Sequence, residues 1–112
     1  MCYFNVLLLV CQDSGPSLLR ERGLLRDLAS LGWRVEDLPD LDFPKICADA
    51  RQANPSAPNN PDARNSLEVG AGTKVLADLV ESKVRLGRFP LILGGDHSIG
   101  AGSLAGEKKQ IL

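Results

Sequence analysis

Residues 90–106 read PLILGGDHSIGAGSLAG, and the order of residue types in this stretch decides the architecture. Leu91, Ile92 and Leu93 form a short apolar run without polar alternation, the pattern of a strand covered on both faces. Gly94 and Gly95 end the run and permit a sharp turn with close approach of backbone or ligand. Asp96 and His97 follow at once, and His97 is the only histidine of the chain. A strand of this kind belongs to a parallel sheet with helices packed on it. In such sheets ligand sites gather at the carboxyl ends of the strands, where Asp96 and His97 stand.

Working outward, residues 65–87 (NSLEVGAGTKVLADLVESKVRLG) place Leu67, Val75, Leu76, Leu79 and Val80 at helical spacing, with Gly87 as a stop. Residues 13–32 (DSGPSLLRERGLLRDLASLG) repeat the pattern with Leu18, Leu25, Leu28 and Leu31. Pro16 suits the first turn and Gly32 the end, while Gly23 weakens the middle enough to split the helix in two. Between them, WRVEDLPDLDF (33–43) alternates as a strand with Trp33, Val35 and Leu38 facing inward. At the front, Val6 to Cys11 is a second apolar run and reads as a buried strand. It lacks the basic flank and small-residue cleavage site of a secretory signal, and it is far shorter than the ~20 residues that span a bilayer. Residues 44–62 hold four prolines and three asparagines with little apolar periodicity, which predicts a long solvated loop. The resulting order is β-α-β-loop-α-β followed by the beginning of a helix, with no internal repeat. It predicts one α/β domain built on a parallel sheet.

Composition narrows the classes further. At 112 residues with a net charge of −1 and basic residues interspersed with acidic ones, the chain gives no electrostatic reason to expect a nucleic-acid partner, and none is expected. No membrane association is expected either. Cys2, Cys11 and Cys47 are odd in number and widely spaced, so they read as reduced thiols of a cytoplasmic protein rather than a disulfide framework or a zinc knuckle.

The Asp96–His97 pair has two readings. A neutral imidazole is a good ligand for manganese, zinc or iron, with an adjacent carboxylate as second ligand or orienting partner. Alternatively, the two glycines only shape a turn and His97 caps the next helix. The glycines Gly100, Gly102 and Gly106 approximate a dinucleotide fingerprint, but four residues intervene after the strand and no acidic residue follows at ~20 positions. GAGTKV (70–75) lies in a helical pattern and matches no phosphate loop. Nucleotide binding is therefore not expected.

The same residues resemble a known family. LILGGDHSIGAGSLAG is similar to the first metal-binding motif of the ureohydrolases, and GPSLLRERGLLRDLASLGWRVEDLPDL (15–41) resembles the arginase branch in particular. Together they cover most of the chain from Asp13 to Gly106. The resemblance implies a parallel three-layer α-β-α sandwich of the arginase type, of which residues 1–112 would be the N-terminal part, cut after about three strands. It also implies a two-manganese centre that hydrolyses L-arginine to L-ornithine and urea. His97 aligns with a histidine that ligates one manganese, and Asp96 would orient it. The later family motifs, Asp-Ala-His-x-Asp and Asp-x-Asp, do not occur here, nor do the substrate-binding segments. The glycine-rich loop that the family has after its first strand has no counterpart either.

One imidazole cannot hold two divalent ions, since manganese takes about six hard ligands. Asp37, Asp40 and Asp42 are conceivable substitutes, but they read more simply as a solvated acidic rim. The 112 residues alone are thus expected to be inactive, with no catalytic or substrate-binding residue assigned. Other readings are a non-catalytic truncated isoform that associates with intact subunits, or another ureohydrolase such as agmatinase. A homo-oligomer such as a trimer is expected of the full-length enzyme, and a mitochondrial location is the alternative to a cytoplasmic one. A sheet that stops at three strands leaves an edge unpaired, so the fold is expected to be marginal or prone to aggregation.

Overall fold

The computed structural model describes residues 5–11, 14–58, 65–94 and 102–107. The element order is β1 (Asn5–Cys11), α1 (Ser14–Glu21), α2 (Leu24–Ser30), β2 (Arg34–Asp37), α3 (Phe43–Ala53), α4 (Ser66–Val84) and β3 (Phe89–Gly94). The three strands form one sheet in the order β2-β1-β3, and both pairings are parallel. Asn5 pairs with Arg34 on one side, and Val6 through Cys11 pair with Phe89 through Gly94 on the other. The parallel sheet expected from the doubly apolar strand is therefore present, with β1 in its centre.

The helices follow from local chemistry. Gly23 adopts a left-handed conformation (φ 91°) that costs glycine little, and it divides the first helical region into α1 and α2. This split also breaks the expected leucine stripe. Leu25 and Leu28 are half-buried, but Leu18 and Leu31 are exposed. Gly32, again left-handed, turns the chain into β2. Trp33, Val35 and Leu38 are half-buried rather than fully buried.

The expectation of a loop over residues 44–62 is corrected in its first half, which is the helix α3. Asp42 accepts a hydrogen bond from the Lys45 backbone N–H (3.0 Å), and Pro44 occupies the first turn, where it surrenders no needed donor. From Lys45 to Ala53 there is neither glycine nor proline. Ile46 and Ala50, four residues apart, put one half-buried face inward. The helix ends at Asn54, just before Pro55, as the steric restriction on residues preceding proline requires. Residues 59–62 of the expected loop lie outside the described residues.

The core sits on α4. Leu76 and Val80 are 1% and 0% exposed, and Leu38, Leu41, Leu79, Val84 and Ile92 pack around them. Ile92 thus faces α4. By the two-residue period of a strand, Phe89, Leu91 and Leu93 face the opposite side, where the Phe89 ring lies 6.2 Å from that of Trp33. On the sheet, α1 touches β3 and α2 touches β2. Helix α3 lies along α4, where Phe43 rests on Gly72: a β-carbon on that glycine would fall 2.6 Å from Cε1 of Phe43. Among the described residues, no helix is long and apolar enough to cross a membrane.

Candidate functional site

The strand order places a natural site. From β1 the chain crosses to β2 on one side, then returns past β1 to β3 on the other. That reversal is a topological switch point, and in open parallel sheets ligands bind in the crevice outside the carboxyl ends of the two strands that flank it. The last registered pair at that end is Cys11 with Gly94. Gly94 is followed directly by Gly95, Asp96 and His97. Asp96 and His97 themselves lie outside the described residues, so what is established is the point from which they depart.

The chain is described again from Gly102. Residues 102–107 are helical and lie against α4, and both glycines of this segment are buried. A β-carbon on Gly102 would come within 2.9 Å of the Thr73 carbonyl oxygen and 3.1 Å of Cδ2 of Leu76. One on Gly106 would come within 2.6 Å of the Ala77 carbonyl oxygen. Spaced four apart, the two glycines share one helix face and let backbone meet backbone. That contact accounts for the pattern that resembled a dinucleotide fingerprint. Small residues at i and i+4 are the available signal; the sequence analysis sets the dinucleotide template aside without assigning the glycines to a helix contact. The described residues on either side of residues 95–101 are thus Gly94 at the end of β3 and Gly102 against α4.

The acidic residues at the rim have partners of their own. Arg20 of α1 donates from Nη2 to Asp37 Oδ1 at 2.8 Å, from Nε to the same oxygen at 3.2 Å, and from Nη1 to Asp40 Oδ1 at 2.8 Å. It also donates to the Leu38 carbonyl at 3.3 Å. The two carboxylates hold the guanidinium pKa above its ordinary value, chiefly through these hydrogen bonds. Asp42 is committed to capping α3. The acidic rim is exposed, as expected, and Arg20 additionally clamps α1 to the end of β2 through it, a pairing that sequence reasoning missed because it needs a partner 17 residues away.

Three further ion pairs hold the helices in place. Lys83 donates to Glu36 Oε1 at 3.0 Å, and Arg88 pairs with the other oxygen of the same carboxylate. These bonds tie the end of α4 and its exit turn to β2, two strands away from β3. Arg51 of α3 pairs with Glu68 in the first turn of α4, donating from Nε at 3.0 Å and again from Nη2. Arg51, together with the Glu68 backbone N–H, keeps the Glu68 carboxyl below the usual carboxylate range.

Among the described residues, no three His, Cys, Asp or Glu side chains converge as metal ligands. The donors that depart from the switch point, one imidazole and one carboxylate, suit a divalent first-row cation in kind. In number they fall short of a full shell, and Asp37, Asp40 and Asp42 are already engaged.

Comparison with known proteins was consistent across sequence and structure. The model of the Arginase family matches residues 11–111. The arginase of Bacillus subtilis (strain 168) is 37% identical over 97 residues, covering 87% of this chain and 30% of that protein. Arginase-1 of Bos taurus is 38% identical over 97 residues, covering 87% of this chain and 28% of that protein. Among solved structures, the native arginase from Bacillus caldovelox superimposes with a TM-score of 0.74 at 33% identity, over 96% of this chain and 37% of that one. The chain therefore spans about three-tenths of the length of the curated relatives it matches.

Proposed function

The chain belongs to the arginase family, and from that premise we propose that residues 1–112 are the N-terminal part of a manganese-dependent arginase domain, a parallel α-β-α sandwich that hydrolyses L-arginine to L-ornithine and urea. The single observation that supports this reading most is the position of Gly94, which Gly95, Asp96 and His97 follow in the sequence. Gly94 ends β3 at the carboxyl side of the switch point, where the fold collects its ligands.

In this reading His97 donates one imidazole lone pair to a divalent cation, and the neighbouring carboxylate of Asp96 orients it. The cation, when bound, makes a hydroxide nucleophile available near neutral pH. These residues supply one ligand of a two-ion centre, so the 112 residues alone hold no complete centre and turn over no substrate. The whole protein is read as a cytoplasmic homo-oligomer.

Two measurements test this. Purified chain incubated with excess Mn²⁺ and L-arginine is expected to release no urea above a metal-only blank, and turnover above that blank overturns the inactivity. Joined to the remaining length of an arginase, the chain is expected to be active and to lose manganese occupancy on His97→Ala. Unchanged occupancy in that variant overturns the metal assignment.

A further inference from the structure

Helix α4 is anchored along its length. Phe43 of α3 rests on Gly72, Leu76 and Val80 are fully buried, and Lys83 pairs with Glu36 of β2. The helical residues 102–107 meet α4 without a side chain of their own in between. The buried residues of this segment are Gly102 and Gly106, while Leu104 is exposed. Gly102 stands against Thr73 and Leu76, and Gly106, one turn on, against Ala77 and Val80, so the two helices run in the same direction. Backbone packed on backbone has no flexible side chain to absorb a displacement. A β-carbon on Gly102 would fall 2.9 Å from the Thr73 carbonyl oxygen, so an alanine there pushes the segment away from α4.

We propose that Gly102 and Gly106 are positioning residues for the metal site, their contact with α4 setting where His97 stands. The inference rests on the reading of His97 as a manganese ligand. Gly94 is registered against Cys11 of β1 and Gly102 is seated on α4, and Asp96 and His97 fall between them in the sequence. A ligating side chain must sit within about 0.5 Å of its productive position, so a shift of the chain at Gly102 reaches the metal. The two glycines differ in a way that separates positioning from plain packing. Gly106 makes the closer contact, its would-be β-carbon lying 2.6 Å from the Ala77 carbonyl oxygen, so alanine there disturbs packing more. Gly102 is one helical turn nearer His97, so alanine there disturbs the ligand more.

The test compares the chain, joined to the remaining length of an arginase, with its Gly102→Ala, Gly106→Ala and His97→Ala variants. Urea titration reads stability, and equilibrium dialysis against Mn²⁺ reads metal affinity. Gly106→Ala is expected to lose more stability and Gly102→Ala more affinity, the latter by about tenfold, the lower end of what misplacing a ligand costs. Affinity that is unchanged in both glycine variants, or that falls in the order of their stability losses, overturns the proposal while leaving His97 a ligand. Unchanged affinity in His97→Ala overturns the metal reading and this proposal with it. Should either glycine variant fail to fold, hydrogen exchange in the unaltered protein decides. Coupling between two sites is reciprocal, so Mn²⁺ is expected to protect the amides of residues 102–107 more than those of α3. Equal protection of the two overturns the proposal.

Discussion

Gly106 lies so close to Ala77 that a β-carbon on it would fall 2.6 Å from the Ala77 carbonyl oxygen and 2.8 Å from Cβ of Val80. Real β-carbons do not approach so closely, and what they would strike is helix backbone and a fully buried side chain, neither of which can swing aside. Gly106→Ala is therefore expected to destabilise by about 1–3 kcal/mol, the range of overpacking in a core. Gly70, exposed on α4 with no atom within 4 Å of its would-be β-carbon, is the control. Gly70→Ala is expected to stabilise by about 0.4–1 kcal/mol. Urea titration of both variants reads the opposite signs.

The core makes a second prediction. Leu76 is 1% exposed and takes the contacts of Leu38, Leu41 and Ile92, so Leu76→Ala removes packing from helix, loop and strand together. It is expected to cost about 2–5 kcal/mol, a large share of the stability of a chain of this size. Leu86→Ala, at a site 64% exposed, is expected to cost less than about 0.5 kcal/mol. Thermal melts of the pair distinguish burial from hydrophobicity as such.

The Arg20 clamp predicts a graded series. Its guanidinium forks between Asp37 and Asp40 while touching the Leu38 carbonyl. A lysine ammonium is a point charge and cannot reproduce the fork. Arg20→Ala is expected to cost about 1 kcal/mol, since the carboxylates are partly exposed, and Arg20→Lys an intermediate amount. A double cycle with Asp37→Asn is expected to show that most of the loss is shared between the partners.

Glu68 gives a pH dependence. Arg51 lowers its carboxyl pKa in the folded chain relative to the unfolded value of ~4.3. A depressed folded pKa contributes stability that is fully present above the unfolded value and is lost as pH falls through the folded one. The stability gap between the native chain and Glu68→Gln is therefore expected to be constant from pH 7 to about 5 and to shrink below about pH 4.3. Melts at pH 7, 5, 4 and 3 read it. A gap that widens on acidification contradicts the pairing.

Much of this fold is legible in the residues because two strands announce themselves. VLLLVC and LILG have no polar alternation, so each must lie inside a parallel sheet, and the helix between Ser66 and Val84 shows its face at regular spacing. Helix α3 was hidden for a local reason. Its start signal is divided, Asp42 closing the strand-like segment and Pro44 opening the proline- and asparagine-rich stretch that marks a loop. The site is legible to a lesser extent. Asp96 and His97 can be picked out as residue types, and the strand order shows which end of the sheet they leave. The tasks of Arg20, Gly102 and Gly106 depend on what meets them from distant elements, which no local pattern encodes.

The middle position of β1 has a consequence for biosynthesis. Of the three strands it is made first, yet Val6 cannot find Phe89 until the whole of α4 has been made. Pairing with β2 can come early, but the other flank of β1 waits, solvent-facing and apolar, through translation of two further helices. A nascent chain of this design calls for a holdase at that flank, and slowed elongation before residue 89 would lengthen the vulnerable interval.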